Sequence, residues 1–278
     1  MTPAPPRIFD RSAILQARRR ARLLDGDPFL ARIAATGIAE RISPIRRKFR
    51  RGLIVDPHFA PGPVREFAER WSEAELSDAD SLLAPTDKFD LAVSLLTLHT
   101  VNDLPGLLVQ IRHVLEPDGL FCGAMFGGST LFELRECLSI AESEVTGGTA
   151  PRIYPFADVR AAGDLLRRAG LALCVADCET TTVWYRDLQH LVRDLRAHAQ
   201  SNVLLARNRR PLSRKVLEET VSLYSGKFGR TDGKVQATFQ IIYALGWSPS
   251  ETQPKPLRPG SAQMPLEEAL KPAKRFQT

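Results

Sequence analysis

His99 stands three residues before the pair Asn102–Asp103 and three residues after the end of the apolar run Asp90–Leu96. An imidazole in a polar loop can take or give a proton near neutral pH, so His99 is the candidate general base. The competing reading is a loop histidine bonded to backbone. Acidic groups gather at strand ends: Asp56 closes Gly52–Val55, and Asp78 and Asp80 lie in the turn Ser77–Ser81. Ser94 lies inside the apolar run, Gly62 closes the segment after Asp56, and Gly127-Gly128 lets backbone approach a ligand closely. Asn102 and Asp103 read as caps of the helix that follows. Arg193, Asp194, Arg196 and Asn202 form a later polar group, while Glu133, Arg135 and Glu142 read as helix-face charges. Neither His58 and His113 nor Cys174 and Cys178 have metal-ligand spacing, so no metal site is expected. The four cysteines read as reduced thiols, and the chain reads as cytoplasmic.

These groups need elements to hold them. Residues 89–129 spell a buried strand, a polar loop, an amphipathic helix, a tight turn and a second buried strand. Leu104, Leu107, Leu108, Ile111 and Leu115 recur at helical spacing, and Pro117-Asp118-Gly119 is the stop. Such a β-α-β unit predicts a right-handed parallel crossover. Ligands in open α/β sheets lie outside the carboxyl ends of the strands, which is where His99 falls.

At 278 residues the chain can bury a sizeable core. It has no apolar run of membrane-spanning length and no leader with an apolar centre. Net charge is +6, with residues 1–52 holding 13 Lys and Arg against 4 Asp and Glu. That segment suits an acidic protein face or an anionic membrane surface. No aromatic residues interleave the arginines at 18, 19, 20 and 22, so no nucleic acid is expected. Arg18, Arg19, Arg20 and Arg22 read more simply as the solvated face of a helix over 7–24.

A second helix is predicted over 29–42, then a strand at Gly52–Asp56 and a helix over 63–71. Only 34 positions separate Asp56 from Asp90. Two further helices and two further strands need roughly 50 residues, so the sheet reads as one β-α unit short. Later expectations are helices over 130–144, 156–169, 187–200 and 213–228. Strands are expected at 171–177, 179–184 and 235–247, the last after an Asp232-Gly233 turn. The division is then a basic helical segment 1–51, a domain 52–247 and a proline-rich tail 248–278, read as mostly disordered with a helical turn at 266–270.

The segment FDLAVSLLTLHTVNDLPGLLVQIRHVLEPDGLFCGAMFGG resembles class I S-adenosylmethionine-dependent methyltransferases of the type 11 group. His99, Asn102, Asp103, Leu104 and Pro105, with Leu115, Pro117, Asp118 and Gly119, carry this. Outside about residues 52–88, GAMFGGSTLFELRECLSIAESEVTGGTAPRIYPF, RDLRAHAQSN and ATFQIIYALGW resemble the complex I assembly factors that hydroxylate an arginine. The methyltransferase of biotin synthesis is a more distant likeness.

The resemblance implies an α/β, Rossmann-like sheet and S-adenosylmethionine bound near Asp56, Gly62, Asp78, Asp80 and Ser94. Three functions follow: a methyltransferase of unknown substrate, a factor modifying a protein arginine of respiratory NADH dehydrogenase, or a non-catalytic scaffold. It implies a respiratory-complex subunit as partner, with placement at the inner membrane surface compatible. One departure stands out. The family's glycine-rich turn D-x-G-x-G-x-G is here Asp56-Pro57-His58-Phe59-Ala60-Pro61-Gly62. If Phe59 or His58 fills the space beside Asp56 and Ser94, the cofactor has no room.

Overall fold

The computed structural model describes residues 6–24 and 26–254. The expected tail lies almost wholly outside them. Helices α1 (Arg11–Ala21) and α2 (Phe29–Ile42) precede β1 (Phe49–Val55). Then come β2 (Ala68–Leu76), β3 (Leu82–Leu83), β4 (Phe89–Leu95), α3 (Leu104–Val114), β5 (Leu115–Phe126) and α4 (Phe132–Thr146). The chain continues through α5 (Val159–Arg168), β6 (Ala172–Tyr185), α6 (Leu188–Ala197), α7 (Arg214–Phe228) and β7 (Val235–Trp247).

The strands form one sheet in the order β3-β2-β1-β4-β5-β7-β6. β1 runs parallel to β2 and β4, and β4 parallel to β5. β7 runs antiparallel to both its neighbours, β5 and β6. This is the expected α/β, Rossmann-like architecture with a helical N-terminus. The shortening between β1 and β4 takes a definite form. All seven strands are present, but β3 is two residues long, pairs antiparallel with β2, and has no helix before it.

Every residue of β4 is buried, because helices cover both faces of the sheet. Leu91, Val93 and Leu95 join one core with α2, α4, α6 and α7, and Ala92 joins the other with α3 and α5, following the period of two along a strand. Phe89 also joins the second core, out of that phase, because the register shifts between Phe89 and Leu91. Leu107, Leu108 and Ile111 of α3 are buried, each contributing roughly 1.5–3 kcal/mol by removal from water. A third, smaller cluster joins Phe9, Ile14 and Ala17 to Tyr154, Val203 and Leu204, and seats α1. Five helices start on a side-chain cap, from Asp10, Asp103, Asp158, Asp187 and Ser213.

Three segments differ from expectation. The helix read at 63–71 is a short 3-10 turn, Gly62–Phe67, followed by β2. The two strands read at 171–177 and 179–184 are one, because β7 pairs with β6 along nearly its whole length. Pro117-Asp118-Gly119 does not end α3, which has stopped at Val114. It is a bulge within β5, where Phe89 faces Leu115 but Leu91 faces Leu120. Asp118 takes a positive φ there.

Candidate functional site

β1 delivers Asp56 to the carboxyl edge of the sheet with φ +53 and 3% exposure. Burying a carboxylate is costly unless it is paired, and here the pairing is complete. Arg18 of α1 donates to both oxygens, at 2.8 and 2.6 Å, and Arg11 donates at 3.3 Å. Burial alone would raise the Asp56 pKa; the guanidinium of Arg18, helped by Arg11, outweighs it and holds the carboxyl below its ordinary value. The reading of the α1 arginines as a solvated face is therefore corrected in part. Arg19, Arg20 and Arg22 are exposed, but Arg11 and Arg18 point inward.

The other expected site residues go to different places. Ser94 is fully buried and shares a hydrogen bond with the Thr97 hydroxyl at 2.9 Å. Asp80 is 5% exposed and accepts from the backbone N–H of Asn102 at 2.9 Å and of Asp103 at 3.3 Å. Asp78 is exposed, and its carbonyl accepts from Arg7 at 2.7 Å. Gly62, at φ +52, lines a separate open cleft of about 430 Å³ with residues 57–61, Arg65 and Glu73. Asp103 caps α3 by accepting from the Gly106 N–H, whereas Asn102 is no cap: its side chain accepts from the N–H groups of Ile8 and Phe9, both at 2.7 Å.

His99 is 8% exposed, with its Nε2 3.1 Å from Gln200 Oε1. Its ring lies 4.9 Å from Phe126, 5.8 Å from Phe156 and 6.2 Å from Tyr154. That apolar cage lowers its pKa to about 4 by desolvation, so it is a neutral imidazole at pH 7. His58 behaves alike: burial first, then the positive charge of Arg18, lowers it to about 4.

Asp56, Ser94 and His99 converge on one crevice, each through an intermediary: Arg18, Thr97 and Gln200. The space left among Ile14, Arg18, His58, Thr97, Thr100 and Gln200 is only about 10 Å³. A single water needs roughly 10–15 Å³, so in this conformation the residues present do not admit S-adenosylmethionine. Of the two residues weighed as fillers, Phe59 and His58, it is His58 that lines this space, and Arg18 lines it as well. Arg18, Tyr154, Gln200 and His198 are the groups that sequence reasoning missed. His198 is 1% exposed, 3.0 Å from the carbonyl of Asp194, and packs edge-on against Phe29.

The later polar group does not assemble. Arg193 and Arg196 are exposed on α6, Asp194 accepts from the Tyr185 hydroxyl at 2.6 Å, and Asn202 donates to the Pro151 carbonyl at 2.8 Å. Of the three α4 charges, two are structural. Glu133 is fully buried on the backbone and hydroxyl of Thr238, and Glu142 is held by Arg152 and the Ala150 N–H.

A larger cleft of about 570 Å³ opens outside the aromatic cage. Ile153, Tyr154 and Phe156 form its wall, with Arg7, Arg135 and Leu205 also lining it. Arg7 and Arg135 make no ion pair with a carboxylate among the described residues; both donate to backbone carbonyls. No cluster of metal-ligating side chains and no helix able to cross a membrane occurs among the described residues.

Comparison with known proteins gives one family match and three relatives. Residues 45–123 match the family model described as a methyltransferase domain. The mitochondrial arginine-hydroxylase NDUFAF5 of Danio rerio is 35% identical over 292 aligned positions, covering 95% of this chain and 90% of that protein. Its human counterpart is 43% identical over 194 positions, 69% of this chain and 56% of that one. The malonyl-[acyl-carrier protein] O-methyltransferase of Halorhodospira halophila is 32% identical, covering 86% and 83%. The mitochondrial names of the first two overturn the expectation of a cytoplasmic protein.

Proposed function

This chain belongs to the methyltransferase-domain family of the arginine-hydroxylase NDUFAF5, and we propose that it modifies an arginine of a protein subunit during assembly of a respiratory NADH dehydrogenase. S-adenosylmethionine is the cofactor that the methyltransferase matches support. One observation carries the proposal: the likeness to the zebrafish protein runs over 95% of the chain, well beyond the methyltransferase core. A match over that share of the chain spans the segments around Tyr154 and Gln200, which line the crevice and its outer cleft.

The geometry is in keeping with a macromolecular substrate. The outer cleft is open and has aromatic lining at the half-buried Phe156, with Tyr154 buried behind it. A flat guanidinium stacks well on such a ring. Arg7 and Arg135 at the rim suit acidic residues flanking the target, through charge-assisted hydrogen bonds. His99 serves this site as a neutral hydrogen-bonding group that holds Gln200, with the aromatic cage keeping water from it.

The same rim favours a second reading. Two arginines beside an apolar wall also suit an acyl carboxylate, in line with the 32% identity to a malonyl-[acyl-carrier protein] methyltransferase.

The test is the intact mass of the respiratory subunits in cells with and without this protein. A subunit that gains one oxygen or one methyl group on an arginine only when the protein is present supports the proposal. Methyl ester on an acyl carrier favours the second reading. An unchanged mass with failed assembly points to a scaffold and refutes both.

A further inference from the structure

The crevice is closed by the chain's own N-terminal segment, and the closure is stitched rather than packed. Arg7 donates to the Asp78 carbonyl, and Asn102 is tied to Ile8 and Phe9. Arg11 donates to the Leu76 carbonyl at 2.9 Å as well as to Asp56, and Arg18 grips Asp56 with both of its terminal nitrogens. The segment thus spans the carboxyl ends of β2, β4 and β1. Its apolar seat is the small cluster around Ile14, Ala17 and Val203, while Ile8, Leu15, Leu23 and Leu24 remain exposed.

The polar accounting beneath the segment is incomplete. The buried side-chain nitrogens without a hydrogen-bond partner among the described residues are Arg11 Nε, both ring nitrogens of His58, and His99 Nδ1. All belong to the crevice or to the imidazole that Gln200 links to it. Buried polar groups elsewhere in the described fold find partners. Unmet groups concentrated at one place mark a site built for something the closed conformation leaves out.

We infer that residues Arg7–Ala21 form a strap that occupies the cofactor crevice, and that S-adenosylmethionine enters only when this strap lifts from Asp56. The inference rests on the family's cofactor and adds a gate to it. Arg11 and Arg18 compete with the cofactor for one corner of the sheet, so binding is linked to release of α1. Lifting exposes little apolar surface, because the seat is small, and it frees the orphaned nitrogens of His58 and Arg11 for the ligand or solvent.

The test is calorimetric titration of the full chain with S-adenosylmethionine, paired with amide hydrogen exchange across Ala13–Ala21. Wild type is compared with Arg18→Ala, and with Ile14→Ser, which loosens the seat without touching Asp56; circular dichroism verifies the fold of each. The strap predicts cofactor affinity at least tenfold higher in both variants than in wild type. It also predicts that saturating cofactor strips protection from α1 in wild type. Equal affinity in all three proteins with α1 still protected overturns it, as does absence of binding in all three. Either failure leaves the subunit-mass experiment standing, so the gate and the proposed function are refuted separately.

Discussion

Acidification probes the site without altering a residue. His58 and His99 are both held down to about 4, from an ordinary value of 6.5. Between those values the unfolded chain binds protons that the folded chain refuses, so stability falls as pH drops through 6.5 toward 4. Desolvation is the main cause for both. Arg18 adds repulsion at each, and Gln200 opposes the shift at His99. From pH 8 to pH 5 each imidazole accounts for a loss of about 2 kcal/mol, and the two together about 4 kcal/mol. Against a domain stability of roughly 5–15 kcal/mol this is a large fraction. Urea unfolding at pH 8, 7, 6 and 5 measures it, with His58→Gln, His99→Gln and the double variant beside wild type. Each single variant should lose about half of the pH dependence, and the double variant should be nearly flat over that range. A wild type equally stable at pH 7 and pH 5 refutes the reasoning. So does a double variant that declines as steeply as wild type.

Other perturbations follow from single contacts. Asp56→Asn leaves Arg11 and Arg18 facing a neutral amide, and should lower stability by about 3 kcal/mol in thermal unfolding. Gly37→Ala in α2 drives a methyl into the Tyr243 ring and hydroxyl, where α2 lies against β7, and should cost about 1–3 kcal/mol by overpacking. Both can be read from the same melting series, since neither residue touches the other. Glu133→Ala strands the N–H and hydroxyl of Thr238, at a cost of about 1–3 kcal/mol, with faster amide exchange at Thr238 as the local signature.

The central β-α-β unit was legible because its two periodicities are clean: an unbroken apolar run for β4 and a helical stripe for α3. β7 was legible for its β-branched and aromatic content. β2 was not, since Glu66–Trp71 favours helix locally, and the strand exists through its parallel pairing with β1. β6 looked broken at Asp177-Cys178, yet it is an edge strand whose polar residues face solvent while β7 enforces continuity. Asp56 was visible as the acid that ends an apolar strand. Its partners were not, because Arg11 and Arg18 stand 45 and 38 positions upstream among arginines that do face water. Their signal lay in phase. Arg11 and Arg18 are two turns apart on the stripe that carries Ile14, while Arg19 and Arg20 fall off it and Arg22 lies past the last helical residue. The cage around His99 draws on residues 126, 154, 156 and 200, which no local pattern relates.

The strand order carries a consequence for biosynthesis. β7 is the last strand in the chain, but it lies between β5 and β6. β6 has no other neighbour, so a nascent chain that has completed residue 185 holds a finished strand with nowhere to dock. The sheet cannot close until residue 247 has left the ribosome, a wait of roughly 3–12 s at ordinary elongation rates. During that wait the free margin of β5 and the apolar face of β6 are both uncovered, and each is a template for pairing with another chain. A premature stop before β7 therefore removes two strands' worth of sheet rather than one.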